Sequence, residues 1–216
     1  MKQRNAPERM NFSVLRPKPR ASKEVPRLTL SLLAFDPGGT TGWSLMTLPV
    51  KINGLSTLEE LDFRALLNQS KRYGWSHGQI DCSDEEFGIW QIGKILDQWS
   101  HAAIITEQFI LMSGRSEKSA TLLTPERLNS HIKYMMWRLA KPVFQQTAGM
   151  VKAPINDARL KVYECYTSEG GLEHARDADR HLLFYLKRVM GKDIKARRMR
   201  AKAWPHIYNE KGDLLE

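Results

Sequence analysis

Cysteine is scarce. Cys82 and Cys165 are the two in 216 residues, and they form no CxxC unit. That excludes a disulfide framework and a structural zinc built on thiolates. It reads as a reducing, intracellular compartment, with the cytoplasm expected. Long apolar runs are missing too: none approaches the ~18–20 residues that cross a bilayer. Residues 1–28 are basic but carry no apolar segment followed by a small-residue cleavage site, so they do not read as a signal peptide. Several chemistries are excluded by motif. DPGGTTGW lacks the Gly-Lys-Ser/Thr ending of a phosphate loop, and there is neither an HExxH nor a GxSxG.

What is present is a core and a positive charge. Hydrophobic residues make up 42% of the chain, with six Trp, six Tyr and seven Phe, enough for one packed domain. The formal charge is +9 and the pI about 9.6, which favours polyanionic partners, nucleic acid first among them. The charge is uneven. Residues 1–27 carry +6, 187–202 carry +7, 203–216 carry −2, and 28–186 only −2. Basic flanks that hold phosphates around a nearly neutral chemical core fit this pattern.

Four prolines among charges make 1–27 an extended, flexible arm. Leu28–Phe35 is a continuous apolar run suited to a central strand, stopped by Asp36-Pro37-Gly38-Gly39. Residues 42–48 return antiparallel and 75–80 complete a meander. A short helix is expected near 57–68. Helices are expected at 84–99, with Ser83 as cap, at 124–139, on either side of Pro154, and at 174–189. Residues 102–109 and 142–145 supply further strands, and 192–202 either continues the preceding helix or starts a new one after Gly191. The pattern predicts an α/β fold, a mixed sheet covered by helices. The domain is expected over 28–191, with 192–216 as a basic then acidic extension.

Carboxylates end two of the strands. Asp36 closes a buried-looking run, and Glu107 sits late in AAIITEQF, where a core-facing carboxylate needs a partner or a metal. His174 and Asp177 are three apart and share a helical face. Asp179 has the wrong spacing to join them and reads as a salt-bridge or solvent-facing residue. Three carboxylates of this kind suit hard divalent cations.

LLAFDPGGTTGWSLM, AAIITEQF, QQTAGMVKAPINDARLK and HARDADRHLLFYL, in this order, resemble the RuvC-like Holliday-junction resolvases of the RNase H-like superfamily, in their bacteriophage form. The resemblance spans roughly residues 29–190. It implies an RNase H-like fold with a central mixed five-stranded sheet: a three-strand antiparallel meander plus parallel strands. It implies a homodimeric endonuclease acting on branched DNA, in the host cytoplasm if phage-encoded. Two Mg²⁺ or Mn²⁺ ions would be held by Asp36, Glu107, His174 and Asp177, and cleavage would leave a 5′-phosphate and a 3′-hydroxyl. His174 stands where many members have Asp; it is either a ligand or a proton-transfer group. Lys152 matches a lysine common in the family. DNA contacts are expected from Arg115, Lys118, Lys152, Arg159 and Lys161, with Leu111 or Met112 as a junction-probing wedge in 110–123. The alternatives are a non-catalytic branched-DNA binder, a nuclease for flaps, forks or RNA–DNA hybrids, and an actin-like phosphotransferase.

Overall fold

The computed structural model describes residues 29–49, 58, 61–109, 124–166 and 171–215. The arm 1–27 and the probing-loop residues Leu111, Met112, Arg115 and Lys118 lie outside them. Five strands form one mixed sheet: β1 (Thr29–Asp36), β2 (Thr40–Pro49), β3 (Trp75–Asp81), β4 (Ala103–Glu107) and β5 (Val143–Gln146). Their order is β3-β2-β1-β4-β5. β1, β2 and β3 are the antiparallel meander, while β4 pairs parallel with β1 and β5 with β4. This is the arrangement expected of an RNase H-like sheet.

Seven helices complete the described fold: α1 (Phe63–Tyr73), α2 (Glu85–Gln98), α3 (Thr124–Arg138), α4 (Ala148–Lys152), α5 (Asp157–Val162), α6 (Glu173–Val189) and α7 (Ile194–Ala203). None is long and apolar enough to cross a membrane. Their starts follow local chemistry. Asp62, Asp84, Thr147, Asn156 and Asp193 each accept a backbone N–H of the first turn. Two expectations change. The first helix begins at Phe63 because Asp62 caps it, not near 57. Asp84 rather than Ser83 caps α2.

Alternation along the strands sorts side chains between two layers. Leu30, Leu32 and Ala34 of β1, with Ala103 and Ile105 of β4, face a cluster that includes Leu182, Leu183 and Leu186 of α6. Leu33, Phe35 and Ile104 face the opposite cluster, with Ile92 and Leu96 of α2 and Leu128 and Ile132 of α3. The chain past residue 191 joins the first layer. Trp204 is fully buried and donates its indole N–H to the Ser31 carbonyl, and Ile207 and Tyr208 pack beside it. Arg200, in the basic segment, is also buried, its guanidinium bonded to the Val189 and Gly191 carbonyls.

Asp179 is buried rather than solvent-facing. Its carboxylate accepts from Ser44 Oγ at 2.7 Å and lies 2.7 Å from His77 Nδ1, which ties α6 to the meander.

Candidate metal centre

The two-residue period that builds the core also aims the site. Asp36 continues the Leu32–Ala34 parity and Glu107 the Ala103–Ile105 parity, so both carboxylates leave the ends of neighbouring parallel strands toward α6. Gln146 ends β5 directly opposite Glu107. The Asn129 side chain of α3 donates to the Glu107 carbonyl at 2.8 Å, and Gln108 N–H donates to the Gln146 carbonyl, so the ends of β4 and β5 are braced from both sides.

Helix α6 answers with two histidines. His174 and His181 are seven residues apart, two turns along one face. His174 Nδ1 lies 3.0 Å from Asp36 Oδ2, and His181 Nε2 lies 3.0 Å from Glu107 Oε2. The close approach of α6 depends on Gly42, the register partner of Asp36. A Cβ there would sit 1.9 Å from the His174 carbonyl oxygen.

Asp36, Glu107 and His181 each offer a donor atom, and the three atoms lie within 4.8 Å of one another. Burial pushes the Asp36 carboxyl above its ordinary range and Glu107's charge adds to the rise, against the pull of His174. Burial would raise Glu107 as well, but the His181 hydrogen bond and charge, the Asp36 hydrogen bond and Lys152 together hold it low. One carboxylate therefore retains its proton more readily than its neighbour, as expected where two acids share a small volume.

His181 is almost completely buried, with Nδ1 3.0 Å from Gln146 Oε1. The other half of that amide, Gln146 Nε2, is buried and makes no hydrogen bond among the described residues. The amide thus sets the ring's tautomer. With Oε1 toward the ring, Nδ1–H donates to it and Nε2 can turn a lone pair to the cluster. With the amide rotated, Nε2–H donates to Glu107. The first arrangement is the outer support of a metal-binding imidazole. Two carboxylates and such an imidazole are a donor set that fits a divalent cation, the imidazole suiting transition ions better than Mg²⁺.

The residues named from sequence are placed as follows. Asp36 and Glu107 converge, and His174 joins them through Asp36. Asp177 lies on the same face of α6, but its carboxylate is engaged by Arg180 and by Lys152, the latter at 2.9 Å. Arg180 also binds Asp157. Lys152 is half exposed at the rim. Arg159 donates to the Pro154 carbonyl, and Lys161 lies over the Tyr166 ring. His181 and Gln146 were missed. A His beside Leu182 and Leu183 reads as core, and the available signal was its seven-residue spacing from His174.

No family model matches the sequence, and no curated protein matches it. Solved structures do. Thermus thermophilus RuvC in complex with a Holliday junction substrate aligns with a TM-score of 0.44 and 10% identity, over 72% of this chain and 92% of that one. A second Thermus thermophilus RuvC structure aligns with a TM-score of 0.41 and 11% identity, over 72% and 93%.

Proposed function

We propose that this chain is a divalent-metal-dependent, structure-selective DNA endonuclease that hydrolyses phosphodiesters in Holliday junctions or related branched DNA, leaving 5′-phosphate and 3′-hydroxyl ends. The observation that carries the reading is the convergence of Asp36, Glu107 and His181 at the ends of two adjacent parallel strands. Asp36 and Glu107 are also two of the three acids that the motif resemblance marks, Asp177 being the third. Asp36, Glu107 and His181 would hold the cation, Mg²⁺ or Mn²⁺, and a second ion would draw on Asp36 with His174 or Asp177. Bound there, a divalent ion supplies positive charge against a phosphate oxygen and lowers the cost of deprotonating the attacking water. Gln146 orients His181. His174 holds a proton at Nδ1 against Asp36 and is placed to exchange it with solvent. Lys152 offers an ammonium to a backbone phosphate at the rim. The homodimer that would set two such centres on two strands, and the DNA contacts of Arg115, Lys118, Arg159 and Lys161, belong to the same proposal.

The engagement of Asp177 by Lys152 and Arg180 favours one alternative, a branched-DNA binder without cleavage. A panel of four-way junction, fork, flap, duplex and RNA–DNA hybrid, each with Mg²⁺, Mn²⁺ or chelator, separates the two. The expected result is divalent-dependent cutting of the junction, abolished in D36N and in E107Q with binding retained. Tight junction binding with no divalent-dependent cutting of any substrate would establish the binder instead.

A further inference from the structure

The outer edge of β5, the last strand of the described sheet, carries a groove of about 590 Å³, unrelated to the metal cluster in its composition. It is lined by Lys133 and Trp137 of α3, Lys141 just before β5, Val143 and Gln145 along the strand, and Lys202 of α7. Among the described residues no carboxylate lines it. Because α3 and α7 cover opposite faces of the sheet, the groove opens between the two layers, where β5 has no outer neighbour among the described residues. Trp137 is 74% exposed, the most exposed large apolar side chain among the described residues. Tyr134 stacks beside it, with ring centroids 6.3 Å apart and planes 25° from parallel. Scattered exposed apolar residues need no explanation. An exposed tryptophan that lines a basic concavity, backed by a stacked tyrosine, is different, because it joins the two elements that hold single strands: a flat π surface for bases and cations for the backbone.

We propose that this groove binds a single-stranded stretch of nucleic acid, with Trp137 as the stacking platform and Lys133 and Lys202 as phosphate contacts. The charge selects this occupant. The basic arm 1–27 carries +6 and would be repelled, and a second copy of the same lysine-lined edge would bring like charges together. The exposed Lys133–Glu126 pair, at 3.8 Å, is weak enough to give way to a phosphate. The Lys141 ammonium donates to the Ser100 carbonyl, so it lends field to the groove floor while staying in place. Gln145 is adjacent to Gln146, the residue that orients His181. From there the lining residues run back through Val143 to Lys141, just before β5, four steps or about 13 Å at ~3.3 Å per residue. The metal centre lies beyond the Gln146 end of β5, toward α6. The binding itself does not depend on that centre being catalytic.

The test uses the full chain in chelator with fluorescently labelled oligothymidylate. Trp137→Ala is expected to weaken binding at least about five-fold, with Trp137→Phe in between, since alanine replacement of a stacking aromatic costs that much or more. Lys133→Ala with Lys202→Ala should flatten the dependence of affinity on salt. Photo-crosslinking of an oligonucleotide carrying 5-iodouracil should label the peptide that holds Tyr134 and Trp137. Unchanged affinity in Trp137→Ala, or cross-links mapping elsewhere, would overturn the assignment. So would loss of a dimer in Trp137→Ala with oligonucleotide affinity intact, which would make the groove a contact between copies of the chain.

Discussion

His174 and Asp36 are the pair whose protonation is most exposed to measurement. The hydrogen bond to Asp36 raises the His174 pKa above 6.5, outweighing burial, and the Asp36 and Glu173 charges add to the rise. The folded protein therefore binds this proton more tightly than the unfolded chain. The stability gained is fully present below 6.5 and is lost as pH climbs through the raised folded value. In chelator, the Tm advantage of the wild type over H174Q should shrink across that climb; a gap independent of pH would disprove the pairing. A divalent ion works in the opposite sense. It needs Asp36 ionised, and burial with the neighbouring Glu107 charge favours the protonated form. Titration calorimetry in buffers of different ionisation enthalpy should therefore show proton release on Mn²⁺ binding, with affinity rising with pH. At this scale the two strand-end acids were legible because each interrupts an apolar run. Asp177 was legible as a position but not as a partner: Arg180, three residues on, stands as close on the helix as any ligand would. His181 was hidden by its leucine neighbours, since a single sequence does not say which buried histidine faces another polar group.

Between elements, the decisive contact is β2 against the first turn of α6. The sequence showed Gly42 only as part of a glycine-rich turn and strand start. Its real constraint is the backbone of His174 and Ala175 lying where a side chain would go. Gly42→Ala should push the start of α6 outward and cost about 1–3 kcal/mol by overpacking. It should also remove the pH-dependent part of stability assigned to His174, which denaturant titrations at two pH values would detect. The meander, the parallel pair and the inward stripe of α6 were readable because period 2 and period 3.6 are local patterns. The docking of α7 was not. KDIKARRMRAK reads as a solvated basic helix, and the residues that seat it, Trp204, Ile207 and Tyr208, lie beyond it in a stretch with little periodicity. Trp204→Ala should cost about 3–5 kcal/mol in chemical denaturation, the range for emptying a large aromatic site. A loss under about 1 kcal/mol would mean that the segment is only loosely applied.

Among the described residues, the strand-end acids and the basic segment around α7 lie at opposite ends of α6. The first turn of α6 meets Asp36, and its last turn leads through Gly191 into α7. Seventeen helical residues separate these ends, about 25 Å at 1.5 Å per residue. The cations of α7 therefore cannot reach a phosphate being cut at the Asp36–Glu107 centre, although a duplex arm extending from it passes within range. The cations of α7 and of the turn before it, which holds Lys192, also divide by role. Arg200 is buried and structural, and Arg197 faces Asp213, while Lys192, Lys195 and Arg198 are exposed. Replacing those three with alanine should leave Tm nearly unchanged. Binding should weaken for every DNA sequence alike, and the slope of log affinity against log salt should fall by up to ~0.9 for each phosphate no longer neutralised, about three in all. If cleavage occurs, its rate at saturating DNA should hold while the concentration needed for saturation rises. An equal fall in the rates at saturating and at limiting DNA would place α7 close to the reacting phosphate, against the geometry of α6. An unchanged salt slope would leave these cations to solubility and return the DNA contacts to Lys152 and the β5 groove.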